Sequence, residues 1–216
     1  MSGAGFLVDL HRCVGCGACV LACRLENGWS TDSAWRRVLP LNLRRHPGGP
    51  TYFLSVACHH CEDPACLEAC PSRAYEKRPD GIVVHHEDRC LGCRYCEMAC
   101  PFGAPQYNAA RGVVGKCHLC HHRLDGAPPE GAAPVTGGQP PAAGSQTSAG
   151  RPACVAACPT EALQVRPPGA PGVGDNGVPG FTDVASCRPQ TEFKAPRGRR
   201  RGELYGALVR RLESGP

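Results

Sequence analysis

Short apolar runs recur along this chain, and most of them lead into or out of a group of cysteines. Residues 5–10 and 51–57 are apolar, β-branched or aromatic runs of strand length, so we predict a strand at each. We also predict a turn and strand over 79–84 and a closing strand over 161–166. Residues 18–26 are predicted to form a short helix. The pattern therefore favours an α+β fold of short strands and short helices.

Other stretches carry too few apolar residues to form a core. Residues 125–152 are nearly all Gly, Pro, Ala, Ser, Thr and Gln, which is typical of a low-complexity, exposed insertion. The tail over 167–216 is rich in Pro and Gly and then in Arg. Within it, residues 202–213 have leucines four apart and predict an amphipathic helix, which we expect to dock on a partner. The connector 28–50 is either a strand or a surface contact around Trp35.

The composition implies that something other than an apolar core holds this fold together. The chain has 216 residues, enough for one domain or two small ones, yet only 6% are aromatic, and 27 Gly and 22 Pro favour loops. Its 17 Cys are the obvious substitute. The N-terminus lacks the basic and apolar regions of a signal peptide, and no apolar stretch is long enough to span a membrane. We therefore expect a cytoplasmic chain, or one that is membrane-associated through its partners. Export with a signal-bearing partner stays open.

The net charge of +5 gives little support to a nucleic-acid partner. Most Arg residues are scattered, apart from a group over 197–201, whereas nucleic-acid binding favours basic and aromatic residues on one element. Thiolate-ligated clusters would also add negative charge that this count omits. We expect no nucleic-acid partner.

The strongest chemical signal is the spacing of Cys90, Cys93, Cys96 and Cys100, which are separated by two, two and three residues and followed by Pro101. This is the bacterial ferredoxin run that binds a [4Fe–4S] cluster. Three more groups accompany it, one with the same spacing, one with four residues in its middle gap and one divided by the insertion over 125–152. This makes sixteen cysteines in four groups and leaves only Cys187, which we expect to be a free thiol. The other groups are Cys13, Cys16, Cys19 and Cys23; Cys58, Cys61, Cys66 and Cys70; and Cys117, Cys120, Cys154 and Cys158.

The fourth cysteine of each run is expected to serve a different cluster from its neighbours, as it does in ferredoxins with two clusters. This rule pairs the groups inside 51–109 with each other and pairs the outer groups across them. The predicted cofactors are four [4Fe–4S] clusters. Their ligand sets are Cys13, Cys16, Cys19 and Cys158; Cys117, Cys120, Cys154 and Cys23; Cys58, Cys61, Cys66 and Cys100; and Cys90, Cys93, Cys96 and Cys70.

The same pairing predicts two bacterial ferredoxin-like modules, one inserted in the other. The central module occupies 51–109. The outer module is formed by 1–50, which includes the connector, and by 110–166, which includes the insertion. The tail over 167–216 follows.

Four strings of this sequence resemble a known family. They are Cys58-His-His-Cys-Glu-Asp-Pro-Ala-Cys66, Cys90-Leu-Gly-Cys-Arg-Tyr-Cys96, Cys100-Pro-Phe-Gly-Ala-Pro-Gln-Tyr107 and Lys116-Cys-His-Leu-Cys120. They are similar to the four-cluster iron–sulfur subunit of the dimethyl sulfoxide reductase and polysulfide reductase family, and the resemblance covers about residues 5–166. It implies an electron-transfer subunit that connects a molybdopterin-containing catalytic subunit with a membrane anchor subunit that handles quinone. The chain itself would neither span the membrane nor catalyse a reaction.

Three alternatives remain open from the sequence. The chain is instead the equivalent subunit of a formate dehydrogenase or hydrogenase complex, a zinc-stabilised interaction protein, or a disulfide-rich protein. The repeated spacing favours iron–sulfur clusters over the last two. We find no nucleophile constellation, phosphate loop or dinucleotide motif, and Asp80, Glu87 and Asp88 do not form a recognisable acid–base pair.

Several polar residues near the cysteines are expected to tune the clusters rather than ligate them. Every group already has its cysteines, so we expect the nearby histidines to donate hydrogen bonds or to contact a partner. Lys116 and Arg94 are either tuning charges or part of a solvated basic face. The histidines are His59, His60, His118, His121 and His122.

Overall fold

A computed structural model describes residues 3–28, 34–42, 51–126, 150–170 and 186–195. In these ranges the chain alternates short strands with short helices, as the sequence predicts. The strands are β1 (Gly5–Asp9), β2 (Arg37–Leu41), β3 (Tyr52–Val56), β4 (Tyr75–Lys77), β5 (Val83–His85), β6 (Gln106–Asn108), β7 (Val113–Gly115), β8 (Leu163–Arg166) and β9 (Glu192–Lys194). The α-helices are α1 (Ala18–Asn27), α2 (Ala65–Glu68), α3 (Tyr95–Ala99), α4 (His121–Leu124) and α5 (Ala153–Ala156), with a 3₁₀ turn at Glu87–Arg89.

The sheet that joins the two ends of the described chain has the strand order β8-β1-β9. β1 pairs antiparallel with β8, with Phe6 opposite Val165, and parallel with β9, with Val8 opposite Phe193. Gly5 permits this close approach, because a Cβ there would lie 2.2 Å from the carbonyl oxygen of Gln190. Ten residues of the predicted tail, 186–195, thus pack on the body of this protein.

The remaining strands form three separate two-stranded antiparallel pairs: β2 with β3, β4 with β5, and β6 with β7. In the first pair, the connector segment Arg37–Leu41 is hydrogen-bonded to Tyr52–Val56, which lies within the strand predicted over 51–57. The other two are local hairpins, each of which delivers the polypeptide to the next cysteine group.

The apolar core lies between these elements and includes many of the cysteines. One cluster is built on Phe6, Leu54, Ile82, Leu163 and Phe193, together with buried cysteines of three of the four groups. A smaller cluster gathers around the β4–β5 and β6–β7 hairpins. The core is therefore interleaved with the candidate metal centres.

Some predictions fall on residues that the structure does not describe. Most of the insertion, 127–149, and the helix over 202–213 lie outside the described ranges. The mixed α and β content is confirmed, while the division into two nested modules stays a prediction. In the part of the chain described here, no helix has both the length and the apolar character needed to cross a lipid bilayer.

Candidate metal centres

All four cysteine loops share one backbone feature, although their sequences differ. The residue just before the second cysteine has a positive φ in each loop, a conformation that favours glycine. These angles are 72° at Gly15, 44° at His60, 68° at Gly92 and 58° at Leu119. Two loops therefore accept a strained non-glycine residue in this position, which indicates that the loop geometry itself is required.

This turn aims backbone amides at cysteine sulfurs. The amide of Gly92 donates to the Cys90 Sγ at 3.5 Å, and the amide of Leu119 donates to the Cys117 Sγ at 3.4 Å. A second amide, that of Val114, also donates to the Cys90 Sγ at 3.5 Å. Such bonds favour the thiolate form, which is the form that ligates metal.

A second shared turn follows the last cysteine of each of the three groups in which that cysteine precedes a proline. The third residue after each of them has a positive φ: 52° at Arg73, 59° at Gly103 and 51° at Glu161. After Cys70, this turn brings the amide of Ala74 to 3.3 Å from the sulfur. Hydrogen bonds from Ser72 and Ala74 outweigh the effect of burial and lower the pKa of Cys70.

The first group lacks that proline, and its backbone follows a different course. Cys23 lies inside α1, which continues through Arg24 to Asn27. There the side chain of Asn27 reaches back, and its Nδ2 lies 2.7 Å from the Cys23 carbonyl oxygen and 3.6 Å from the Cys23 Sγ. A side-chain amide thus supplies the sulfur contact that a backbone amide supplies at Cys70.

Folding brings cysteines of different groups together, and we number the resulting sets as sites 1 to 4. The thiols of site 1 line one pocket, and those of site 3 line another. Site 1 comprises Cys13, Cys16, Cys19 and Cys158, and site 3 comprises Cys58, Cys61, Cys66 and Cys100.

Sites 2 and 4 are marked by electrostatic interactions between their thiols. In site 2, Cys23 interacts with Cys154 and Cys120, and Cys117 interacts with Cys23 and Cys154. In site 4, Cys96 interacts with Cys90 and Cys70, while Cys93 is exposed on the same loop. Among the described residues, no three His, Cys, Asp or Glu side chains converge as a single metal ion would require.

The four sites follow one another in a row. Cys19 of site 1 interacts with Cys154 of site 2, and Cys117 of site 2 interacts with Cys58 of site 3. Cys66 of site 3 in turn interacts with Cys96 of site 4. Each site is therefore linked to the next through a pair of neighbouring thiols.

The donor chemistry of these sites suits a cluster that binds thiolates. Burial, followed by the charge of Cys154, raises the pKa of Cys23 to about 12, and burial raises the pKa of Cys120 to about 11. Thiols that are crowded and buried in this way resist ionisation unless a metal offsets their charge. Iron in a [4Fe–4S] cluster supplies that positive charge and accepts four cysteine sulfurs.

A buried arginine supports the same conclusion. Arg36 is 1% exposed, and its Nη1 donates to the Ser55 Oγ at 3.0 Å while its guanidinium lies 4.2 Å from the centre of the Phe6 ring. Its Nε and Nη2 are buried without a hydrogen-bond partner. The charges that act on it are those of four thiols in sites 1 and 2, and they raise its pKa against the effect of burial. An anionic cluster fits a cation held in this way.

The other polar residues predicted near the cysteines fall into two sets. Burial lowers the pKa of His59 and of His118 to about 3, so both are neutral, and His60 accepts a hydrogen bond from the Val83 amide at 3.1 Å. Lys116 is buried, lines the pocket of site 3 and donates to the Cys117 carbonyl at 3.1 Å. Arg94 is exposed and pairs with a nearby glutamate.

Two of the remaining histidines lie beside carboxylates. The His122 Nε2 is 2.8 Å from a Glu26 carboxylate oxygen, and the His121 Nδ1 is 3.6 Å from Asp125. Arg36 is not predictable as a functional residue from the sequence, because an isolated arginine in a connector carries no signal of burial. The sequence also does not predict that Cys187 lies near a site.

Comparison with known protein families agrees with this chemistry. The 4Fe-4S dicluster domain matches residues 50–139, and the 4Fe-4S binding domain matches residues 6–25. These matches and the cysteine loops define an iron–sulfur protein with ferredoxin-like domains that bind [4Fe–4S] clusters.

Individual relatives identify the family. A chain of the anaerobic dimethyl sulfoxide reductase of Escherichia coli (strain K12) is 40% identical over 171 residues, which cover 76% of this protein and 73% of the relative. Its counterpart in Haemophilus influenzae is 37% identical over 77% of this protein and 75% of its own length. A sulfite dehydrogenase subunit of Allochromatium vinosum is 37% identical over 57% and 58%. The chain therefore belongs to the electron-transfer, iron–sulfur subunits of the dimethyl sulfoxide reductase family, which confirms the resemblance found in its sequence.

Proposed function

We propose that this protein relays single electrons through four [4Fe–4S] clusters, one at each of sites 1 to 4. The observation that carries the proposal is the row of sites, in which one thiol of each site neighbours a thiol of the next. A row of redox centres suits transfer in short steps between two partners. The sixteen cysteines of the four groups supply four ligands for each cluster.

The exposed apolar surface supports two partner faces, one at each end of the row. Seven large apolar side chains are exposed in the described residues, and six of them lie in the cysteine loops of sites 1 and 4 or on α1 and α3, the helices that follow these loops. Exposed apolar patches of this kind are typical of protein–protein contacts. The six are Val14, Leu21 and Leu25 in the loop of site 1 and on α1, and Leu91, Tyr95 and Met98 in the loop of site 4 and on α3.

We assign these faces to a molybdopterin-containing catalytic subunit and to a membrane anchor subunit that handles quinone. The relatives that are named as chains of anaerobic dimethyl sulfoxide reductases support a reductase complex. The protein would then reach the membrane through its partners. Electrons would enter at one face, pass along the row and leave at the other.

The first test is an anaerobic count of iron and acid-labile sulfide per chain, on protein isolated with its co-purifying subunits. About sixteen of each, four for each cube, would support the relay. Zinc without sulfide would contradict it and favour a zinc-stabilised protein. The co-purifying catalytic subunit would separate a dimethyl sulfoxide reductase from a formate dehydrogenase or hydrogenase.

A second test separates the two faces. Leu91→Glu with Met98→Glu, at site 4, should release one subunit, and Leu21→Glu with Leu25→Glu, on α1, should release the other. The iron content should stay unchanged in both variants, because none of the substituted side chains binds a cluster. Release of the same subunit in the two cases would contradict the two-face arrangement.

A further inference from the structure

A segment of the C-terminal region lies along the loop of site 3. This loop has four residues between Cys61 and Cys66, and its extra length offers backbone donors. The amide of Glu62 donates to the Arg188 carbonyl at 2.9 Å, and the amide of Asp63 donates to the Cys187 carbonyl at 3.2 Å. The wider spacing in this group therefore creates an edge on which the segment docks.

Two more contacts fix the segment at that place. The amide of Gln190 donates to the His59 carbonyl at 2.9 Å. The Arg188 guanidinium binds both carboxylate oxygens of Asp63, with its Nη2 at 2.9 Å from Oδ1. Because β9 follows at once and pairs with β1, the segment is held at both of its ends.

These contacts bring a fifth cysteine to site 3. Cys187 is 5% exposed and lines the same pocket as Cys58, Cys61, Cys66 and Cys100. The backbone bonds to Glu62 and Asp63 place it beside the residues that directly follow Cys61. The pocket of site 1, by contrast, is lined by the four cysteines of that site and by no fifth one among the described residues.

We propose that Cys187 is a reserve ligand of the site 3 cluster, able to bind the iron that Cys61 otherwise holds. This inference rests on the proposed function, since it requires a [4Fe–4S] cluster at site 3. A buried thiol beside four ligating thiolates has the chemistry of a ligand, and the segment that carries it is tied to the ligand loop itself.

The exchange involves no net redox change. The Cys187 thiol loses its proton and its Sγ forms a bond to iron, while the bond between iron and the Cys61 Sγ breaks. The released Cys61 thiolate takes up a proton, so the charge of the site and the oxidation states of iron are the same before and after. Site 3 would thus keep its cluster when Cys61 is oxidised or lost.

The test compares iron and sulfide content in anaerobically isolated variants of the whole complex. Alanine is the replacement, because a serine oxygen can itself bind iron. The wild-type complex is measured first, and about sixteen irons per chain would support the relay. A lower count in wild type would contradict the proposed function itself, and this outcome is distinct from any difference between the variants. Cys187→Ala and Cys61→Ala should each retain the wild-type iron, and the double variant should lose up to a quarter of it. Cys61→Ala alone should also show an altered electron paramagnetic resonance spectrum, because one ligand has changed.

Cys16→Ala is the matched control, because Cys16 is also the second cysteine of its loop and its pocket contains no fifth thiol among the described residues. This control should lose iron as a single substitution. The proposal is overturned if Cys61→Ala loses as much iron as the double variant, or if Cys16→Ala loses none. If the variants do not accumulate with clusters in cells, reconstitution of the purified chains with ferrous iron and sulfide provides the same comparison.

Discussion

Two sets of strands in this protein are held together in different ways: the pairs β4–β5 and β6–β7, which we call the inner part, and the sheet β8-β1-β9, which we call the outer part. In the inner part, β4 pairs with β5 and β6 with β7 across short turns, as shown by Tyr75 opposite His85 and Gln106 opposite Gly115. In the outer part, β1 pairs with β8 and β9, whose residues are more than 150 positions away in the sequence. The inner hairpins close locally, whereas the outer sheet forms only when distant segments meet.

This difference shows where the clusters matter most. Contacts between distant segments cost more loop-closure entropy than local ones. Sites 1 and 2 bring together cysteines from α1 and from the loops of α4 and α5, so their clusters would cross-link the outer part. The inner sites reinforce hairpins that already close locally.

The largest expected effect is the loss of a whole cluster from the inner part. Cys100→Ala should remove the cluster of site 3 and spare that of site 4, although Cys100 follows the cysteines of site 4 in the sequence. Iron should fall by about a quarter, from sixteen to about twelve per chain. Addition of Cys58→Ala should cause no further loss, whereas addition of Cys90→Ala should remove another quarter. The opposite pattern would show that the fourth cysteines are not exchanged between groups.

The next largest effect should come from the outer sheet. Arg166 on β8 lies 3.3 Å from Glu192 on β9, both are buried, and the Arg166 Nη2 donates to the carbonyl of Gln190 at 3.2 Å. Arg166→Met should lower the free energy of unfolding by about 3–5 kcal/mol, because a buried carboxylate loses its cation. Anaerobic urea unfolding, followed by circular dichroism, measures this change. Arg166→Met with Glu192→Leu should recover most of the loss, and an equal loss in both variants would assign the effect to packing alone.

A charge between the outer sites should tune them without holding them together. Arg36→Met should lower the midpoint potentials of sites 1 and 2, because a nearby cation favours the cluster that has gained an electron. Redox titration followed by electron paramagnetic resonance detects the shift. Arg36→Lys should retain most of the wild-type potential. Arg37→Met is the matched control, since Arg37 is the next residue and is exposed. Equal potentials in Arg36→Met and wild type would contradict a tuning role.

The smallest effect should come from an exposed ion pair of the inner part. Arg111 pairs with Glu87, and their side chains are 50% and 30% exposed. Arg111→Ala should change the free energy of unfolding by less than about 1 kcal/mol, because solvent screens such pairs. The same urea experiment checks it. A loss as large as that of Arg166→Met would remove the distinction between the two parts.

The elements that the sequence predicted are those whose signals are local. The strand over 51–57 and the helix over 18–26 agree with Tyr52–Val56 and Ala18–Asn27, because an apolar run beside a cysteine loop is visible in a short window. For the same reason, the cysteine spacing predicts the [4Fe–4S] chemistry, and four short strings around the cysteines carry the family resemblance. The ligand sets of the individual clusters remain a prediction.

The features that the sequence did not predict depend on distant partners. β9 is only three residues long and pairs with a strand at the other end of the protein, so no local pattern marks it. Arg36 resembles any surface arginine in the sequence, because its burial depends on anionic groups that the sequence contains only as distant cysteines. The sequence likewise gives no sign that Cys187 lies in site 3, because this position depends on contacts with residues far away in the sequence.

The pairing of β1 has a consequence for how this protein is made. Chains leave the ribosome at about 5–20 residues per second. After Asp9 has been added, β8 at Leu163–Arg166 is completed roughly 8–30 s later at that rate, and β9 later still. During that interval Phe6 and Val8 have neither partner strand, while the inner hairpins can already close. The apolar N-terminal strand would therefore need protection during synthesis, and the cysteines of site 1 would wait longest for their last member.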